Sequence, residues 1–285
     1  MPFGAPMDLG PGSLLWRWAG DNRLGFTGLA AGIMQLMHPG LGAGVVQHSA
    51  FFTEPWDRIF RSIPEIIGVV YDGPEAEATG ARVRDHHRRI KGTDERGRRY
   101  SALRPETFWW AHATFQFAVE RLADRFDTHR LDPTEREQLC GGGGGWYRRY
   151  GVSLAPVPRD RAEFRERWHH YCDDVLEMTV AAERAIDMAL HDKVEDLPGL
   201  PWWTQPIQRE LITPIFRLTA IGGLPGRVRR RFDIPWGPVE AAQLRAFEVW
   251  VRESWRLVPR SVRWAPRATD GWKREARARR AAAAA

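Results

Sequence analysis

The sequence predicts an all-α protein that folds as one globular domain. Apolar residues recur at spacings of three and four along most of the chain, and no long stretch alternates with the period of two that strands require. Of the 285 residues, 43% are hydrophobic and 27% charged, which is enough to bury a sizeable core. We expect the domain to span residues 20–265, preceded by a flexible segment 1–19 and followed by a disordered Arg- and Ala-rich tail 266–285.

The first half of the chain carries five predicted helices. Gln35, His38 and Pro39 interrupt the apolar window 26–46 at its middle, where lipid would penalise them, so this window predicts two buried helices and no membrane span. Apolar stripes predict the helices over residues 55–70 and 105–126, and a composition rich in Ala, Glu and Arg predicts the helix over residues 75–90. The five cover residues 27–37, 41–51, 55–70 with a kink at Pro64, 75–90 and 105–126, and residues 91–101 are expected to be turn-like.

The second half continues the helical pattern. Asp132 and Pro133 have the residue types of an N-cap and a first helical position, so a helix is expected to start there. The five consecutive glycines at 141–145 predict a break in it, because glycine is a poor helix former. Further helices are predicted over residues 161–191, 205–221 and 238–258.

The number of cysteines and the composition of residues 1–13 lead to an expectation about the cellular location. Cys140 and Cys172 are too few for a disulfide scaffold or a Cys-based metal cluster, and fit a reducing cytosol. Residues 1–13 lack the basic start of a signal peptide. We therefore expect a cytoplasmic protein, with peripheral contact to a membrane kept open. The formal net charge of +6 permits an anionic partner without naming one, and the oligomeric state is left open.

Common catalytic motifs are missing, but His and Arg cluster on the apolar helices of the first 112 residues. There is no nucleophile elbow, dinucleotide fingerprint, Walker loop or His-Glu-x-x-His pair. A helical pocket lined with His and Arg would suit an anionic, flat or metal-bearing cofactor. Structural histidines in a core and solvated arginines would give the same sequence pattern. The clusters are Gln35-x-x-His38 with Gln47-His48-Ser49, Arg58-x-x-Arg61-Ser62, and Arg84-x-x-His87 with Tyr100 and Trp110-Ala111-His112-Ala113-Thr114.

At these clusters the sequence resembles the catalytic domain of the MpaB-type oxygenases and rubber oxygenases, which include the latex-clearing proteins. The likeness runs from about residue 20 to about residue 259. It is carried by Gly20-Asp21-x-Arg23, Gln35-x-x-His38-Pro39, Gly44-Val45-x-x-His48-Ser49, Pro55-Trp56-x-Arg58-x-x-Arg61-Ser62, Val83-Arg84-x-x-His87-x-x-Ile90-x-Gly92, Trp110-Ala111-His112-Ala113-Thr114, Tyr150-Gly151-Val152, Leu224-Pro225 and the Trp236 region.

The resemblance implies a globin-reminiscent helical bundle that binds haem b and uses dioxygen on a hydrophobic terpenoid, sterol or lipid-like substrate. In the latex-clearing branch one His ligates the iron and an Arg lies three residues before it, which implies His87 as the metal ligand and Arg84 as its neighbour. The same branch has Arg-x-x-Lys-Thr beside the haem, and Arg58, Arg61 and Ser62 match those positions as catalytic candidates.

This sequence has Arg61 where the latex-clearing branch has a lysine. A guanidinium stays protonated and does not readily ligate iron, so we expect no lysine-capped iron here. Arg58, His112 and His48 are further candidates for binding the cofactor. His86 and His112 are rivals of His87 for the iron, and His86 points about 100° away from its neighbour around a helix.

Two other functional classes are kept as alternatives. One is a haem or small-lipid carrier without catalysis. The other is a membrane-surface or nucleic-acid binder that uses the basic run 227–231 and the tail 274–280. Short basic runs are usually solvated faces, so no nucleic-acid partner is expected.

Overall fold

A computed structural model describes residues 9–49, 51, 53–191 and 201–284, without the side chains of residues 55–60 and 211. These ranges form fifteen α-helices and one antiparallel hairpin, which confirms the all-α prediction. The elements are α1 Leu14–Trp18, α2 Leu24–Leu36, α3 Pro39–His48, α4 Pro55–Tyr71, α5 Ala76–His86, β1 Lys91–Thr93, β2 Arg99–Ser101, α6 Pro105–Phe126, α7 Pro133–Arg148, α8 Arg161–His170, α9 Val180–Leu190, α10 Gln205–Ile207, α11 Thr213–Gly222, α12 Gly226–Arg231, α13 Pro238–Ser254, α14 Arg260–Arg263 and α15 Pro266–Ala284.

Helices α2 and α6 form the centre of the core. The polar residues that interrupt α2 are used to hold these two helices together. Gln35 Nε2 donates to Thr114 Oγ1 at 2.7 Å and to the Ala111 carbonyl at 3.0 Å. Thr27 Oγ1 donates to the Ala118 carbonyl at 2.9 Å, so buried polar groups are satisfied within the helix pair.

Helices α2 and α3 meet at His38-Pro39 with a bend of 95°. This confirms two helical pieces where the sequence predicted them. In the described ranges, no single helix is long and apolar enough to cross a membrane, and this bent pair reaches the required length and hydropathy only when its two helices are taken together. His38 caps α3 by accepting a hydrogen bond from the Leu41 backbone, and burial lowers the pKa of His38 to about 4.

The five glycines do not break α7, so that prediction is wrong. Asp132 caps the helix start as expected, in a reciprocal capping box with Glu135, and the helix then runs through Gly141–Gly145 to Arg148. The glycines let α7 pack closely against its neighbours. A Cβ on Gly143 would lie 2.2 Å from Gln116 Oε1 of α6. Tertiary packing therefore overrides the low helix propensity of glycine.

The predicted helix 161–191 is interrupted. A π-helical turn, Tyr171–Val175, separates α8 from α9. The chain leaves the helix there because residues beyond the turn satisfy the open carbonyls at the end of α2. The Glu177 backbone donates to Met37 at 2.9 Å, and Thr179 Oγ1 donates to Leu36 at 2.6 Å.

Three other segments also differ from the predictions. The segment 91–101 is a β-hairpin, in which Tyr100 pairs with Gly92. The predicted helix 205–221 is divided by a second π-helical turn, Gln208–Ile212. The predicted helix 238–258 ends at Ser254 and continues as a short 3₁₀ turn. The sequence also predicts a Pro- and Trp-rich loop over residues 197–203, and this segment lies partly outside the described residues.

Both ends of the described chain are packed onto the fold. Trp16 and Trp18 of α1 are buried, although segment 1–19 was expected to be flexible; its first eight residues lie outside the described ranges. The tail expected to be disordered forms α15, which packs on α4. Ala268 is fully buried, and Arg267 Nη2 lies 2.7 Å from Asp72 Oδ2.

Candidate functional site

The candidate site residues of α4 and α5 lie on two antiparallel helices. Thr79 Oγ1 donates to Asp72 Oδ2 at 2.6 Å, and Arg82, further along α5, pairs at 3.6 Å with Glu65, which lies nearer the start of α4. Arg61 on α4 and the histidines His86 and His87 at the end of α5 therefore lie toward the same end of this helix pair. The side chains of Arg61 and Ser62 are exposed, and that of Arg58 lies outside the described part of the chain.

Helix α5 is fixed against the end of α7 by two features. Gly80 touches the backbone so closely that a Cβ there would lie 2.0 Å from the Arg149 carbonyl oxygen. Arg84 then reaches across with Nη1, which donates to the Gly151 carbonyl at 3.3 Å, while its Nε donates to Asp85 at 2.8 Å. Arg84 therefore helps to position the end of α5, where His87 follows.

His87 is the C-cap residue of α5, and its imidazole is oriented by the backbone. The Nδ1 atom lies 2.7 Å from the Val83 carbonyl oxygen, which can only accept, so Nδ1 carries the proton. Nε2 is then the nitrogen with the lone pair. The ring is half-buried and meets Phe108 edge to face at 5.9 Å. This arrangement is typical of metal-binding histidines, whose second nitrogen donates to a carbonyl or carboxylate.

His86, the neighbour of His87, has a different environment. Its side chain is exposed at the last position of α5. The two histidines are thus adjacent in sequence but differ in burial, which makes His86 a matched control for His87.

His112 is a fully enclosed core residue of α6. Its Nε2 donates to the Gly143 carbonyl at 2.9 Å, and its ring packs on Trp146 at 4.8 Å and Tyr147 at 5.2 Å. Burial lowers the pKa of His112 to about 4, so the ring is neutral at pH 7. Its Nδ1 has no hydrogen-bond partner among the described residues and faces a cavity of about 10 Å³, enough for one water.

The structure brings three of the predicted site residues around one aromatic cluster. Phe108, Tyr147 and Tyr150 lie between His87 and His112, with ring centroids 5.2–6.2 Å apart, and the Tyr150–Gly151 backbone faces Arg84. Sequence reasoning did not assign these aromatics to the site. The helical spacing that places Phe108 on the stripe of His112 was the available signal.

His48 lies apart from that cluster. It is the exposed last residue of α3, and its ring is 6.4 Å from that of Tyr100. Tyr100 donates to Gln47 Oε1 at 2.7 Å, and Gln47 donates to the Thr93 carbonyl at 2.9 Å. This end of α3 therefore holds the hairpin that directly follows His87.

The donor set fits haem iron better than a free metal ion. Over the described residues no group of three or more His, Cys, Asp or Glu is placed to hold a metal ion. A haem takes its equatorial ligands from the porphyrin and needs one imidazole from the protein, which His87 offers in a suitable tautomer. His87 lines neither the cavity beside His112 nor the one beside Arg121, so the fit rests on the imidazole and its hydrogen bond.

The fold and site together define an all-α protein with one oriented imidazole as its candidate ligand. A family model described as "ER-bound oxygenase mpaB/B'/Rubber oxygenase, catalytic domain" matches residues 16–253, which is most of the chain. The chain belongs to this family of oxygenases. No curated protein and no solved structure matches it significantly.

Proposed function

We propose that the protein is a haem b-dependent oxygenase in which His87 is the protein ligand of the iron. The observation that carries the proposal is the hydrogen bond from His87 Nδ1 to the Val83 carbonyl, because it leaves Nε2 as the coordinating nitrogen. Membership in an oxygenase family supports the same chemistry. Haem iron with one imidazole ligand supplies the binding and activation of dioxygen.

The protein's own residues would bind the haem and orient the His87 imidazole. Arg84 holds the end of α5 against the Tyr150–Gly151 backbone, which fixes the direction of the His87 ring. Arg61 and Ser62 would supply polar groups from α4, toward the same end of the α4–α5 pair as His87, and Arg58 is kept with them as a candidate. The guanidinium of Arg61 has hydrogen-bond donors and no acceptor, so its role would be to donate hydrogen bonds to an anionic or oxygen-bearing group.

We further propose a hydrophobic small-molecule substrate, of terpenoid, sterol or fatty-acyl type, and a cytoplasmic location. The family resemblance supports the substrate class, and the state of the two cysteines supports the location. Cys140 and Cys172 are free and buried, as a reducing compartment permits.

The basic run 227–231 does not support the nucleic-acid alternative. Arg227 Nη1 lies 2.5 Å from Asp173 Oδ2, and Arg231 Nη1 donates to the Cys172 carbonyl at 2.7 Å. Arg229 donates to the carbonyls at the end of α11, including that of Gly222 at 3.0 Å. These three guanidiniums are engaged in contacts within the fold, so they are less available to phosphates.

The test is a titration of the purified protein with hemin, followed by oxygen uptake with a panel of terpenoids, sterols and fatty-acyl compounds. We expect a Soret shift that saturates at one hemin per chain, and oxygen consumption with at least one hydrophobic compound. A protein that gives no Soret shift with stoichiometric hemin would refute the proposal. Haem binding without oxygen uptake across the panel would favour a non-catalytic carrier.

A further inference from the structure

A cleft far from His87 opens between α2, α6, α11 and α13. Its apolar lining includes Phe26, Phe117, Phe126 and Leu244, and two arginines of α6, Arg121 and Arg125, also line it. Arg121 follows Phe108 by 13 positions on the same helix, or about 20 Å at the rise of an α-helix. The cleft is therefore separate from the proposed haem site.

Arg121 carries a charge that its surroundings do not neutralise directly. Its Nε atom is buried and has no hydrogen-bond partner in the described part of the chain. Its guanidinium lies over the Phe117 ring, 5.2 Å from the centroid. Burial and the like charge of Arg125 lower the pKa of Arg121 to about 10, yet the group stays cationic at pH 7.

The nearest carboxylates hold other arginines. Glu248 pairs with Arg125 in the same cleft. Asp124 pairs with Arg136 at 2.6 Å, and Glu120 is shared between Arg136 and Arg161. These acids reduce the positive potential around Arg121 from a distance, but Arg121 forms no ion pair with any of the described residues. The cleft thus contains one arginine with a carboxylate and one without.

The hydrogen-bond donors in the cleft favour a carboxylate as the partner of Arg121. Two threonine hydroxyls line the cleft, but Thr27 donates to the Ala118 carbonyl and Thr219 to the Ile215 carbonyl. The guanidinium of Arg121 is then the main donor, and its planar fork matches a planar carboxylate. A single negative charge would balance the single cation.

An apolar surface continues outward from the cleft. The Phe26 ring meets Phe247 edge to face at 5.1 Å, and Phe247 packs on Trp250 at 6.0 Å. Trp250 is 64% exposed, and its neighbour Val249 is 46% exposed. The cleft has a volume of about 10 Å³, room for about one water, so a carboxylate would reach Arg121 from the mouth of the cleft and its alkyl chain would lie along this surface.

We propose that this cleft binds a long-chain carboxylate, with its carboxylate on Arg121 and its alkyl chain along Phe247 and Trp250. The site is independent of haem binding. It would serve as an accessory site for a fatty-acid-like molecule on the face of the protein formed by α6 and α13.

The test uses the purified protein and sodium dodecanoate below its micelle-forming concentration, with isothermal titration calorimetry and tryptophan fluorescence as readouts. The tested variant is Arg121→Met, which keeps an apolar stem on Phe117 and removes the charge. The control is Arg277→Gln, at an exposed position of α15. Dodecanol serves as the uncharged ligand of equal chain length, and acetate as the charged ligand without a chain.

We expect saturable binding of dodecanoate at one site, weakened about tenfold or more in Arg121→Met and unchanged in Arg277→Gln. Dodecanol and acetate should each bind at least about tenfold more weakly. Circular dichroism melting shows whether Arg121→Met is folded, and we expect it to be at least as stable as the parent, because a partly buried charge is removed. Equal binding of dodecanoate and dodecanol, unchanged binding by folded Arg121→Met, or no saturable binding by the parent protein would each overturn the proposal.

Discussion

Replacement of Gly80 by alanine tests how α5, the helix that leads into His87, is held against α7. Alanine is the better helix former by about 1 kcal/mol, so propensity alone predicts stabilisation. The structure predicts the opposite, because the new Cβ would lie 2.0 Å from the Arg149 carbonyl oxygen. A backbone carbonyl at the end of a buried helix cannot rotate away as a side chain could.

The magnitude follows from this overlap. An ordinary carbon–oxygen contact starts near 3.4 Å, so α5 must move away from α7 by about 1.4 Å. Overpacking of this kind costs about 1–3 kcal/mol, and the same movement stretches the Arg84 hydrogen bond to the Gly151 carbonyl, worth about 1.5 kcal/mol. After the gain in helix propensity, we expect a net loss of about 2 kcal/mol.

Gly142→Ala is the matched control, since it makes the same change within α7. Its Cβ would lie 3.5 Å from Leu15 Cβ, an ordinary contact, so we expect a gain of about 1 kcal/mol. The assay is urea denaturation of the parent and both variants, followed by circular dichroism. The midpoint should fall for Gly80→Ala and rise for Gly142→Ala. If both midpoints rose, the close contact between α5 and α7 would be refuted.

Two further predictions concern buried ionisable groups. The pKa of His112 is lowered to about 4 in the folded protein, so the unfolded chain binds more protons between pH 4 and 6.5. The free energy of unfolding should therefore fall as the pH drops through this range. His112→Gln keeps a donor for the Gly143 carbonyl and should flatten this dependence in denaturation midpoints measured at pH 4.5 and 7; an unchanged dependence would contradict the assignment. Arg23→Met should cost about 3 kcal/mol or more in the free energy of unfolding, because Asp21 and Asp127 would lose a buried partner at 2.8 and 3.0 Å. Arg17→Gln, which removes a half-exposed partner of Asp127, should cost less than about 1 kcal/mol in the same assay, and similar losses in both variants would contradict this account.

Local signals in the sequence were sufficient to predict several of the helices and their ends. Helix α6 has the predicted bounds because Pro105 starts it and its apolar stripe continues to Phe126. The capping box at Asp132 and the bend at His38-Pro39 were likewise readable, since each depends on residues adjacent in sequence.

The differences arose where distant contacts decide the local structure. The glycines of α7 are helical because α6 approaches them, and the helix 161–191 is interrupted because Glu177 and Thr179 bind the end of α2. Neither contact leaves a periodic signal in the sequence.

The same division applies to the candidate site. The spacing Arg84-x-x-His87 was visible in the sequence, but the hydrogen bond that selects the His87 tautomer depends on the backbone of α5. From the sequence, His112 was a rival of His87 for the iron. In the structure His112 is a core residue whose Nε2 donates a hydrogen bond to the Gly143 carbonyl. The aromatic cluster between the two histidines depends on the packing of α6 against α7, which no local pattern reports.

The central claim is that the His87 imidazole is the protein ligand of a haem, and replacement of the imidazole tests it most directly. His87→Gly and His86→Gly would each be titrated with hemin, with and without added imidazole, and followed by absorption in the Soret region. We predict that His87→Gly loses the parent spectrum and regains it with imidazole, while His86→Gly gives the parent spectrum throughout. A parent-like spectrum for His87→Gly without imidazole, or a loss confined to His86→Gly, would contradict the assignment.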